Sequence, residues 1–194
     1  KVLSFTILYS IILYSKGVDI MSSIELVILG IVLEKPQSAY DIQKDIEYHH
    51  FSRWTKISVP VIYKKVLQLK EKGYLESTIV KGNRFADKAI YSITDKGIEY
   101  FEQLMESCSE IQATFLFDFN VVITNLNKLE KDKAIDLIQR IRENIKRSEE
   151  ARKKYAEEYP NIPLVGRTIF EQQQQLFCSL LKWLDTFEVQ FMES

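Results

Sequence analysis

The run SVPVIYKKVLQLKEKGYLESTIVKGNRFADKAIYSIT, residues 58–94, carries two different periodicities back to back. Its first half has the marks of a helix. Ser58 can cap it, Pro60 falls in the first turn where a missing N–H is harmless, and Gly73 ends it. Ile62, Val66 and Leu69 recur at helical spacing and define a buried face, leaving Tyr63, Lys64, Gln68 and Lys70 for other faces. The second half is β-rich. Leu75–Val80 and Ala89–Thr94 are short, partly alternating runs, and KGNRFADK between them holds Gly82, Asn83 and three basic residues. This predicts a hairpin with a basic tip.

Upstream, residues 24–34 are almost continuously apolar, with Ser22 and Ser23 as possible N-caps and Pro36 beyond the end, which predicts a short buried helix. Residues 38–49 begin at another capping serine and carry Tyr40, Ile42 and Ile46 near helical spacing. Downstream, Thr94-Asp95 caps a helix to about Glu106, with Ile98, Phe101 and Leu104 or Met105 as its stripe. Three short helices, a two-stranded hairpin and a further helix form a winged helix-turn-helix. In that arrangement the N-terminal residues of the third helix can face base edges in a major groove, and the hairpin can set Lys or Arg against phosphate or the minor groove.

Beyond residue 110 no strand signal survives. Helices are expected over about 111–127, 130–158 and 165–192, with Pro160 and Pro163 between the last two. Ala134, Ile138, Ile141 and Ile145 form one stripe; Phe170, Phe177, Leu180 or Leu181, Leu184, Phe187 and Phe191 form another. Such stripes need a partner face, in the same chain or in a second copy. The fold class is therefore mostly α with a small β-hairpin wing: a winged helix-turn-helix over 21–107, then an all-helical domain over 108–194. Residues 1–20 open at Lys1 and contain an uncharged apolar stretch from Phe5 to Tyr14. That stretch is shorter than the ~20 apolar residues a spanning helix requires, and no small-x-small cleavage site precedes Met21. We read this segment as non-native or translated from upstream; a membrane-proximal or extra dimer-contact segment is the other reading.

Composition excludes several classes. A chain of 194 residues can hold a core unaided. With 46% hydrophobic and 27% charged residues it is not a disordered chain. Cys108 and Cys178 alone make neither a disulfide scaffold nor a Cys-only zinc site, and both read as buried small hydrophobes. His49 and His50 are adjacent and unsupported by a third ligand, so they read as a helix end. No P-loop, GxSxG or HExxH is present, and no enzyme activity, metal or cofactor is expected. The formal net charge is −1, but it is unevenly spread. Residues 53–96 hold ten basic and four acidic side chains, +6, leaving −7 on the rest. A basic third helix and wing on an acidic body is a phosphate-binding footprint.

SAYDIQKDI at 38–46, SVPVIYKKVLQLKEKGYLE at 58–76 and KAIYSITDKGIEYF at 88–101 resemble the PadR family of bacterial transcriptional regulators. Residues from about 110 to 192 resemble more loosely the helical dimerisation domain of its virulence-activator type. One departure is Ala39, where many members have Gly before the tyrosine of the second helix. The resemblance implies a cytoplasmic homodimer that binds a pseudo-palindromic operator in double-stranded DNA and usually represses, with no membrane partner. It places Tyr63 at the tyrosine of the recognition-helix motif, Tyr40 at the tyrosine just before the second helix, and Arg84 and Lys88 in the wing.

The expected DNA-binding residues are thus Tyr40, Ser58, Pro60, Tyr63, Lys64, Lys65, Lys81, Asn83, Arg84 and Lys88. The expected dimerisation residues are Ile138, Ile141, Ile145, Phe170, Phe177, Leu180, Leu184, Phe187 and Phe191. The aromatic last helix could instead line a pocket for a small-molecule effector of unknown identity. The rival to DNA binding is a winged helix that only docks proteins, which has no need of a +6 segment.

Overall fold

The computed structural model describes residues 20–51, 55, 59–81, 87–111, 113–158 and 162–193. Ser58, Asn83 and Arg84, and the expectations for residues 1–19, lie outside the described residues. The chain divides into two compact units, 1–114 and 115–194.

In the first unit α1 spans Ile20–Glu34, α2 Ala39–Tyr48 and α3 Ile62–Glu71, the last entered through a 3-10 turn at Val59–Val61. Strands β1 (Leu75–Val80) and β2 (Lys88–Ile93) pair antiparallel, with Leu75 opposite Ile93 and Val80 opposite Lys88, and α4 runs over Asp95–Ser109. This is the expected winged helix-turn-helix, with local differences. Ser22 and Ser23 lie inside α1 rather than capping it. No side chain caps α3, whose N-cap is Val61. Helix α4 continues three residues past Glu106.

Cap chemistry marks the remaining ends. Ser38 Oγ accepts from Asp41 N at the start of α2. Gly73, at φ +77°, ends α3. Its N–H donates to the Lys70 carbonyl and that of Tyr74 to the Leu69 carbonyl, a paired C-terminal lock that favours glycine. The core joins Ile28, Leu29 and Val32 of α1 to Ile42 and Ile46 of α2, Ile62, Val66 and Leu69 of α3, and Leu75, Tyr91 and Leu104. The wing is also tied to the loop before α2: Gln37 and Tyr91 exchange backbone hydrogen bonds of 3.1 and 2.8 Å.

In the second unit α5 is a single turn, Asn120–Ile123, followed by a 3-10 turn at Leu126–Lys128. Helices α6 (Lys131–Glu157) and α7 (Leu164–Glu193) then form an antiparallel hairpin, since Lys131 reaches Met192, Gln139 reaches Glu188 and Glu149 meets Gln174. The helix expected over 111–127 is not formed. Its apolar residues run from Phe115 to Ile123, broken only by Asp118 and Asn120, instead of making a stripe. Thr124 and Asn125 also turn their side chains onto the Val121 carbonyl, at 3.0 and 2.7 Å, which competes with helix propagation.

The dimerisation stripe is corrected too. Ile138, Ile141, Ile145 and Leu184 are buried against one another and Leu126 inside one chain, so these four cannot also face a second copy. Phe177, Leu180, Phe187 and Phe191 pack on that cluster and stay half-exposed, and Phe170 lies against Tyr155. Cys178, expected to be buried, is exposed, and Cys108 is half-buried. Among the described residues no helix is long and apolar enough to cross a membrane.

Candidate nucleic-acid interface

The outward face of α3 and its entry turn carries Pro60, Val61, Tyr63, Lys64 and Leu67, all exposed; Tyr63 has 59% of its surface open. They share a face because steps of three and four residues return to the same side of a helix. The opposite face holds Ile62, Val66 and Leu69 in the core. Tyr63 lies near β2, where burial and the neighbouring Tyr63 raise the Tyr91 hydroxyl above its ordinary value. Tyr40 stands 61% exposed in the first turn of α2, with Lys44 Nζ 4.8 Å above its ring. Lys81 is exposed at the end of β1.

Two expected contacts are repositioned. Lys65 is only 5% exposed, and its ammonium donates to Glu25 Oε1 of α1 at 2.9 Å. It follows Ile62 by three and precedes Leu69 by four, so it belongs to the inward stripe and is not available to a phosphate. Lys88 stays half-exposed but donates to Asp41 Oδ2 at 2.6 Å. The Asp41 carboxyl is held below its ordinary value chiefly by that bond, with Ser38 adding to it. Counting Glu25 and Asp41 with the basic segment lowers its charge from +6 to +4. Among the described residues, the cations with no carboxylate partner include Lys64 and Lys81, at the helix and the wing.

Burial pushes the Glu25 carboxyl up, but hydrogen bonds from Tyr100 and Lys65 and the charges of Lys65 and Lys72 outweigh it, and the net shift is downward from 4.5. A depressed carboxylate adds stability above its unfolded pKa and loses it as pH falls through the lower folded value. The thermal midpoint of the first unit should therefore be flat between roughly pH 7 and 5 and fall below about pH 4. Circular-dichroism melts across that range check this, and a midpoint that rises on acidification contradicts it.

His49 is the C-cap of α2 and its ring meets Tyr48 and Phe51 edge-on; His50 follows at φ +48°. In the second unit Phe170 lines an open cavity of about 410 Å³ with Arg152, Lys153, Ala156, Glu171, Gln174 and Gln175.

A winged helix-turn-helix with an exposed Tyr-Lys pair at the head of its third helix defines the structural class. No protein-family model matches the chain, and no curated protein matches it. Solved structures do. The chain is similar to Bacillus subtilis PadR in complex with operator DNA, with a TM-score of 0.70 at 16% identity over 86% of this chain and 98% of that one. It is similar to the same regulator in complex with p-coumaric acid, at 0.71 and 17% over 92% and 100%. A PadR-like transcriptional regulator from Bacillus cereus gives 0.63 and 21% over 88% and 98%. The chain has the fold of the PadR transcriptional regulators.

Proposed function

We propose that this chain is a PadR-family transcriptional regulator that binds double-stranded DNA through α3 and the wing. The observation that carries the reading is the exposed Tyr63–Lys64 pair at the N-terminal turn of α3, backed by a buried apolar face that holds the helix proud of the core. Tyr63 and Lys64 meet the duplex at the major groove, Tyr40 meets the backbone, and Lys81 and the wing meet an adjacent phosphate. Ser58, Pro60, Asn83 and Arg84 complete the interface as candidates on the same sequence segments.

The reading extends to a homodimer on a pseudo-palindromic operator, with half-sites about one helical turn or a multiple of it apart, acting in the cytoplasm as a repressor. Exposed apolar side chains of the second unit, among them Leu116, Val165, Val189 and Met192, support pairing with a second copy. A small-molecule effector is supported by the p-coumaric acid complex of the Bacillus subtilis neighbour. The neighbours are regulators, which supports a non-enzymatic role.

The test is a binding titration on the duplex upstream of the chain's own gene. Replacing Lys64 by Ala removes one phosphate contact. That should weaken binding roughly tenfold at 0.1 M salt and flatten the salt slope by about one unit. The melting temperature should stay unchanged, because Lys64 is exposed. Unchanged affinity would remove Lys64 from the interface.

A further inference from the structure

We propose that Glu25 is a positioning residue for DNA binding: its buried carboxylate, held between Lys65 of α3 and Tyr100 of α4, sets the orientation at which α3 presents Tyr63 and Lys64. The inference rests on the DNA-binding reading above and concerns a group that does not itself touch the duplex.

One carboxylate gathers three elements. Glu25 on α1 accepts from Lys65 Nζ at 2.9 Å through Oε1 and from the Tyr100 hydroxyl at 2.6 Å through Oε2. Lys72, just past the end of α3, approaches the same Oε1 at 3.7 Å. The carboxylate therefore holds α3 near both ends, from positions two helical turns apart. The ring of Tyr100 stacks on Tyr74, with centroids 4.1 Å apart and planes 11° apart, and Tyr74 leads directly into β1. The tie thus extends to the root of the wing.

Stability alone does not account for this arrangement. The Glu25 and Lys65 side chains are each 6% exposed. A buried ion pair loses so much hydration that apolar residues of similar volume often serve stability equally well or better. What the pair adds is direction. Ile62, Val66 and Leu69 hold α3 against the core through apolar contacts, which are non-directional. The 2.9 Å bond from Lys65 is directional, and with both side chains 6% exposed its loss strands two buried charges. Lys65 is next to Lys64 and two residues from Tyr63, so any roll that breaks its bond also swings the outward pair. A helix fills most of the width of a major groove, so a small roll changes which groups it can reach.

The experiment compares the full chain with Glu25→Gln and with the triple variant Glu25→Leu, Lys65→Met and Tyr100→Phe. The triple variant removes the whole buried polar cluster and leaves no charge stranded, so it remains folded if the single variant does not. Residual dipolar couplings of the backbone amides report the orientation of α3 relative to α1 without DNA, and titration of the upstream duplex reports affinity. The expected result is a triple variant that melts near the parent, with α3 couplings that no longer fit the parent orientation. Its duplex affinity should drop at least tenfold at an unchanged salt slope, because no phosphate-facing cation is lost. Couplings for α3 that fit the parent orientation would overturn the proposal, and so would parental affinity in the triple variant. Failure of the DNA-binding reading gives a different result: the parent itself shows no salt-dependent binding to the duplex, while the couplings still decide whether Glu25 orients α3.

Discussion

Gly97→Ala should destabilise the winged-helix unit by about 3 kcal/mol, lowering its melting temperature by roughly 10–20 °C. A Cβ at this position would lie 2.1 Å from the Tyr74 carbonyl oxygen, 2.8 Å from Ile93 Cγ1 and 3.0 Å from the Tyr74 carbonyl carbon. The first and last are backbone atoms and cannot swing aside. The Tyr74 oxygen is further held by Thr94, whose N–H donates to it at 3.1 Å and whose hydroxyl is shared between the Gly73 and Tyr74 carbonyls at 2.8 and 3.2 Å. Relief has to break the cap of α4, in which Gly97 N donates to Thr94 Oγ1, or move the turn that ends α3. Gly73→Ala is the internal comparison. Nothing lies within 4 Å of a Cβ there, so only the positive φ is penalised, at about 1 kcal/mol. Chemical denaturation of the two variants measures the contrast, and a Gly97→Ala protein as stable as Gly73→Ala would contradict the close approach.

Ile138→Ala should cost about 3 kcal/mol in the second unit. Ile138 is fully buried where α6 meets α7, in a cluster completed by Leu126, Ala134, Ile141, Ile145 and Leu184. Leu184 is the only fully buried side chain of α7 among the described residues, so the hairpin has little apolar burial in reserve. Loss of helical ellipticity at lower denaturant than the parent is the expected readout. A shift below about 1 kcal/mol would place Ile138 outside a packed core.

The elements legible in the sequence are those whose ends are set by local chemistry. Ser38, Gly73 and Thr94 each act within a few residues of themselves, so the bounds they mark lie close to those observed. The hairpin was legible because its strands are β-rich and its turn is not, and β2 starts only one residue earlier than the pattern suggests. The segment 111–127 departs from its expected helix because apolar content without a stripe does not specify one. Phe115 and Leu116 stay exposed there.

The candidate site was legible on its outer face and not on its inner one. Tyr63 and Lys64 stand out because Ile62, Val66 and Leu69 take the other side. Lys65 could have been placed inward from the same spacing, since it lies on their stripe. Its partner could not, because Glu25 is 40 positions away. The same distance problem hid Asp41 from Lys88, 47 positions apart, and the Gln37–Tyr91 bridge. Charge counted along the chain records each lysine and not the carboxylate that folding sets against it. This is why the basic footprint shrinks to +4 yet stays positive. In the second unit each stripe needs a partner face, and α6 and α7 supply one to each other in the same chain.

The measurement that bears most directly on the central claim is the equilibrium constant of the full chain for the duplex upstream of its own gene, followed across salt concentration. Binding through α3 and the wing predicts a straight, steep fall of log K against log salt, about 0.9 per phosphate neutralised, with Lys64→Ala shallower by about one such step. Affinity that does not change with salt, or no binding to the duplex at all, would contradict it.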